Sequence, residues 1–142
     1  MFSLIITIVS IALVVALVAA TMYHGGDTLT QGRTTADAAA FVSGAQQVGG
    51  AAVMYQSLES QPAANVAALT PKYLASAPVV KGDALELKKV GTMNVVFSKV
   101  ASTDVCEQIN KTAGAADPKN VADITGLAYG CITTGTEFQF KY

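Results

Sequence analysis

The chain has 142 residues and a net charge of −1, from 9 Lys and Arg against 10 Asp and Glu, with one His and two Cys. That length bounds it to one modest domain plus a terminal segment. With Lys88-Lys89 as the only basic doublet, the composition excludes a nucleic-acid footprint built from many phosphate contacts.

The charges are unevenly placed. Residues 1–23, MFSLIITIVSIALVVALVAATMY, carry none, and every charged residue lies after residue 26. As a helix rising ~1.5 Å per residue this stretch is roughly 35 Å long, enough to cross a hydrocarbon core. A secretory signal is a second reading, with a small-residue exit at Val18-Ala19-Ala20, but the positive n-region is missing and the apolar run is long for an h-region. A third reading makes Met1 the first residue left after removal of a basic leader. Phe2, Leu4, Ile5, Ile6, Ile8, Val9, Ile11, Leu13, Val14 and Leu17 surround the helix. With no polar face to offer water, they are expected to bury against the same segment of other copies. His24, beside Tyr23, marks the point where the apolar segment meets headgroups or water.

Residues 27–59 predict an amphipathic helix. Ala38, Phe41, Ala45, Val48, Ala52, Tyr55 and Leu58 follow steps of three and four, and Ser43, Gln46, Gln47 and Gln56 lie opposite. Gly44, Gly49 and Gly50 cost helix stability and permit close approach of another backbone. Gly25-Gly26 joins the apolar and amphipathic parts. If these form one helix of about 58 residues, it is roughly 87 Å long, and the glycine pair is where it is expected to bend or unwind.

Pro62 ends the helix. Residues 60–82 form a connecting segment in which Tyr73 and Leu74 are expected to lie back on the helix. From residue 83 the period is two. Leu85 and Leu87 alternate with Glu86 and Lys88, and after Gly91-Thr92 Met93, Val95 and Phe97 alternate with Asn94, Val96 and Ser98, which reads as an antiparallel hairpin. A short helix follows, capped by Ser102 or Thr103, with Asp104 and Glu107 in its first turn, Val105, Ile109 and Ala113 inward and Gly114 as its stop. Residues 128–134 are expected to pair with the closing strand, which places Phe138, Phe140 and Tyr142 on one face. The domain organisation is thus an apolar segment over 1–26 and a head over 27–142, with its sheet and C-terminal region in 83–142.

Cys106 and Cys131 allow one intramolecular pairing around roughly two dozen residues, worth about 3 kcal/mol in the chain-entropy model; two buried free thiols are the alternative. Their spacing, with the only His far away at position 24, lacks the pattern of a metal site. No nucleophile elbow, CxxC or phosphate loop occurs. Asp104 and Glu107 compensate a helix dipole more readily than they form a catalytic pair. Neither an enzyme nor a cofactor is expected. Asn110-Lys111-Thr112 matches an N-x-S/T sequon.

Taken together, these features resemble the type IV pilins, closest to the class-b branch. The resemblance covers the layout of the whole chain. It is sharpest at Met1-Phe2-Ser3-Leu4-Ile5, at Tyr73-Leu74 with Pro78, and at the Cys106–Cys131 bracket. It implies a pilin-like α+β fold: a long N-terminal helix, half apolar and half amphipathic, packed on a small antiparallel sheet. Phe41, Val48, Ala52 and Tyr55 would seat that helix on the head. It also implies processing and methylation at Met1 by prepilin peptidase and export by the pilus assembly machinery. Storage in the inner membrane would precede polymerisation with identical subunits into an extracellular helical pilus of the kind used in adhesion. Two departures stand out. Ile5 occupies the place of the family's usual Glu, which leaves hydroxyls such as Ser3, Thr7 and Ser10, and shape, to set register. Gly25-Gly26 replaces the usual Pro near position 22. A pseudopilin of a type II secretion system and a single-pass accessory subunit of a membrane complex are the competing readings.

Overall fold

The structure, a computed structural model, describes the backbone of residues 1–142 and every side chain except those of His24 and Asp27; the expectation for His24 therefore lies outside the described residues. The chain forms two compact units, Met1–Arg33 and Thr34–Tyr142. Helix α1 (Phe2–Glu59) contributes to both. The second unit adds a single 3-10 turn (Val66–Leu69) and strands β1 (Val79–Val80), β2 (Asp83–Ala84), β3 (Glu86–Val90) and β4 (Met93–Lys99). Helix α2 (Thr103–Ala113) and strands β5 (Tyr129–Ile132) and β6 (Glu137–Lys141) complete it. This is the expected α+β fold, a long N-terminal helix whose second half packs on a small antiparallel sheet.

In the first unit three hydroxyls bond within the helix. Thr7 and Thr21 donate to the carbonyls of Leu4 and Val18, three residues back, and Ser10 donates to that of Ile6. Pairing polar groups within the segment is what an apolar surrounding demands. The break expected at Gly25-Gly26 concerns an assembled form; in the isolated chain α1 is helical through both.

In the second unit the sheet order is β3-β4-β6-β5, antiparallel throughout. Ala38, Phe41, Ala45, Val48 and Ala52 are buried in the core and Tyr55 is half-buried. Leu58, expected to join them, is 67% exposed. The sheet stops short of it: a Cβ at Gly49 would already stand 3.2 Å from Cβ of Tyr142, the last residue of the chain. Beyond that turn only the connecting segment is left to pack on. Tyr73 does so, its ring 5.4 Å from that of Tyr55 in a T-shaped contact, and Leu74 packs partly buried on the core. At Gly44 side chains, not another backbone, come close, with Leu85 Cδ1 2.8 Å and Val80 Cγ2 3.3 Å from where its Cβ would be. Gly50 has open space opposite it.

Strands β3 and β4 form the expected antiparallel hairpin, with Val96 and Ser98 of β4 on the helix side. Register places Val96 between Leu87 and Phe140, and Ser98 beside Phe138, and it is Val96 and Phe138 that join the core under α1. A polar Ser98 is tolerated there because its hydroxyl donates to the carbonyl of Ala84 at 3.3 Å. Val95 is buried on the outer face, and Phe97 carries Lys88 Nζ 5.0 Å from its ring centroid. On that side Lys141 Nζ reaches the carbonyl of Thr125 at 2.9 Å and ties down the segment that follows α2. The rest of the head follows the sequence pattern. Ser102 caps α2 and Gly114, in the left-handed conformation at φ 81, ends it. Phe138 is buried, and Phe140 and Tyr142 pack beside it against the same core.

A candidate assembly surface

The first unit concentrates the exposed apolar surface of the molecule. Phe2, Leu4, Ile5, Ile6, Ile8, Val9, Ile11, Leu13, Val14 and Leu17 are all exposed, from 52% at Val9 to 85% at Phe2, and Met1 is fully so. These side chains ring the helix, so no rotation hides them. At about 1.5–3 kcal/mol per large apolar side chain, covering about a dozen of them is worth roughly 20–35 kcal/mol. That exceeds the whole folding free energy of an ordinary domain, about 5–15 kcal/mol. Such a surface requires lipid, detergent or another apolar protein surface. By length and composition α1 is long and apolar enough to cross a membrane, and it is the one such helix among the described residues.

In the isolated chain the Thr7 and Ser10 hydroxyls donate within the helix, to the carbonyls of Leu4 and Ile6, and their oxygens keep lone pairs that can accept.

The head is held together independently. Cys106 and Cys131 form a disulfide with Cα atoms 5.2 Å apart, both residues buried. At the end of α1, Glu59 Oε1 accepts from Lys72 Nζ and from the Tyr73 hydroxyl, each at 3.0 Å. The Lys72 bond, then the Tyr73 bond, hold the Glu59 carboxyl below its ordinary range. The segment after α2 braces itself in the same way. Asp117 accepts from the Asn120 amide and from Lys119 N–H, and Asp123 accepts from Thr125 N–H at 2.8 Å; these contacts lower both carboxyls. An ion pair between Lys81 and Asp37 at 2.9 Å ties the connecting segment to α1.

Chemistry finds little footing. Among the described residues no group of three or more His, Cys, Asp or Glu could hold a metal ion. Asp104 sits in the first turn of α2, its N–H received by Ser102 Oγ at 3.3 Å, the position of a dipole-compensating carboxylate. An open groove of about 230 Å³ between α1 and α2, lined by Ala38, Val42, Ile109 and Tyr129, is apolar and brings no reactive group together. Sequence patterning missed the role of Glu59 as a latch, because its partners Lys72 and Tyr73 lie across a loop whose path no periodicity fixes. No protein-family model, curated protein or solved structure matches this chain.

Proposed function

We propose that this chain is a structural subunit of the type IV pilin kind, which polymerises through residues 2–23 into a surface filament. The observation that carries the reading is one covalent combination. A helix apolar on every side, its hydroxyls bonded internally, continues into a disulfide-closed head that needs no help to bury its own core. Such a subunit is stable while stored in a membrane. The same segment gains comparable free energy when apolar segments of other copies replace lipid around it. A contact between unlike surfaces of identical copies generates a helical fibre where its rotation does not close into a ring. The reading assigns filament-core packing to Phe2 through Leu17, seating of the head to Phe41, Val48, Ala52 and Tyr55, and an extracellular end point to the head.

The test is electron microscopy of material sheared from cells expressing the chain, with mass spectrometry of the fibres. Fibres built from this chain are the expected result. A chain found only in the membrane fraction, in fixed stoichiometry with other subunits, would overturn the reading in favour of an accessory membrane subunit.

A further inference from the structure

The Asn110-Lys111-Thr112 sequon has the form of a glycan acceptor, and the proposed function makes no use of it. Asn110 is 0% exposed. Its side chain meets both backbone groups of a single residue. Oδ1 accepts from Cys131 N–H at 2.7 Å, and Nδ2 donates to the Cys131 carbonyl at 2.8 Å. Nδ2 also donates to the Pro118 carbonyl at 3.0 Å. A carboxamide nitrogen has two hydrogens, so both are committed.

The place of Cys131 gives this arrangement its meaning. Strand β5 is the outermost in the order β3-β4-β6-β5. Backbone groups of successive strand residues face alternate sides, and those of Cys131 face away from β6. An edge left open in this way is a template for another strand. Two residues further on, Thr133 N–H donates to the Val121 carbonyl at 3.1 Å, so a backbone segment closes the same edge there. At Cys131 one carboxamide does the work of a strand residue. Gly130 leaves room for it, since a Cβ there would stand 3.4 Å from Asn110 Oδ1 and 2.9 Å from Ile124 Cγ2.

We propose that Asn110 is a strand surrogate that seals the outer edge of β5, and that folding thereby closes the sequon to glycan transfer. Transfer from a lipid-linked sugar would form a bond from Nδ2 to the anomeric carbon. The bond from that carbon to the carrier's phosphate oxygen would break, and one Nδ2 proton would be released. Either Cys131 or Pro118 would then lose its donor, and a buried side chain would have to carry a sugar. The sealed and glycosylated states exclude each other. Nδ2 becomes available only when α2 separates from β5, and the Cys106–Cys131 bond, anchored one turn before Asn110 and on the very residue that Asn110 pairs, resists that separation. The inference stands on the head alone and does not depend on the filament reading.

Residue-resolved amide exchange on the oxidised full-length chain in detergent micelles tests the seal. Exchange at Cys131 as slow as at Val95 and Val96 of the sheet interior is expected. In Asn110→Ala, Cys131 exchange should accelerate at least tenfold while Val95 and Val96 hold. Fast exchange at Cys131 in the unaltered chain, or none of this acceleration in the variant, overturns the proposal, and the first criterion decides even if the variant does not fold. An oligosaccharyltransferase shown to modify a short Asn-Lys-Thr peptide should leave the oxidised, folded chain unmodified. A glycan at Asn110 of that folded chain overturns the second half.

Discussion

Gly44, Gly49 and Gly50 share one stretch of α1 but differ in what stands opposite them, and the consequences of adding a methyl differ accordingly. A Cβ at Gly50 meets open space, whereas at Gly49 it would meet Cβ of Tyr142 at 3.2 Å, an atom fixed to the backbone. Replacing Gly by Ala in a helix interior stabilises by about 0.8–1.0 kcal/mol when nothing clashes. Gly50→Ala should therefore raise the melting temperature of the head unit by a few degrees, and Gly49→Ala should not, because the end of β6 must move to admit it. Thermal unfolding followed by circular dichroism distinguishes them. The carboxylates behave alike for a different reason. Glu59, Asp117 and Asp123 are each held below their ordinary values of 4.5, 3.8 and 3.8 by hydrogen bonds, first from Lys72, Asn120 and Thr125 respectively. A carboxyl lowered on folding contributes stability above its unfolded pKa and loses it as pH falls through the folded one. Loosening of the segment over residues 117–125 is thus expected only as pH falls below about 4. Limited proteolysis between pH 5 and pH 3 should show it, and Asp117→Asn together with Asp123→Asn should remove the pH dependence.

At the scale of elements, the disulfide connects the two pieces that depend on it most. Cys106 lies on α2 and Cys131 on the edge strand β5, and the chain between them contains Gly114, Pro118, Gly126 and Gly130 and few large apolar residues. Changing both cysteines to Ser should cost roughly 3 kcal/mol by the loop-entropy argument, read as a lower denaturant midpoint, with a steeper slope because the unbridged denatured chain exposes more surface. Equal midpoints for the oxidised and reduced chains would contradict it. Elements whose signals are local were legible in the sequence. The Ser102 cap and Gly114 stop of α2 depend on neighbours within one turn, and the alternation from Phe138 to Tyr142 depends only on strand period. What was not legible depends on partners far along the chain. Alternation along β4 leaves open which face lies under α1; partners far along the chain decide it, with Ala84 receiving the Ser98 hydroxyl on the helix side. Leu58 has the right spacing for the core, but where the sheet ends under α1 is a tertiary fact. In the candidate assembly surface the reverse holds. A helix apolar on all sides is visible from composition, because no packing inside its own chain could hide it.

At the scale of the whole molecule, the proposed filament would need the junction at Gly25-Gly26 to serve both a stored and an assembled form. In a fibre of the kind proposed, the apolar segments crowd around one axis while the heads occupy a wider radius, so the two parts of α1 need not share a line. Each glycine weakens a helix by about 1 kcal/mol relative to Ala; of the two adjacent pairs in α1, Gly49-Gly50 lies against Tyr142 and Phe140, which leaves Gly25-Gly26 as the less costly point for the backbone to extend. The surroundings favour the same place. Among the described residues nothing beyond the chain neighbours and the local helix backbone comes within 4 Å of a Cβ built on either glycine. Thr28 donates its hydroxyl to the Gly25 carbonyl and Thr30 to that of Gly26, each at 3.0 Å. These short side chains can keep donating to nearby carbonyls when the helical N–H partners are withdrawn, which lowers the cost of unwinding near an apolar core. In the isolated chain α1 is continuous through the junction; if the proposed fibre forms, it should contain non-helical backbone within residues 20–28 with helix on either side. Gly25→Ala with Gly26→Ala should leave membrane insertion intact, because both states of the segment are equally apolar, while fibres become stiffer or fail to form. Helical reconstruction of fibres by electron cryomicroscopy, with persistence length measured for both chains, checks this. An unbroken helix through the junction, or fibres of unchanged flexibility from the double variant, would refute it.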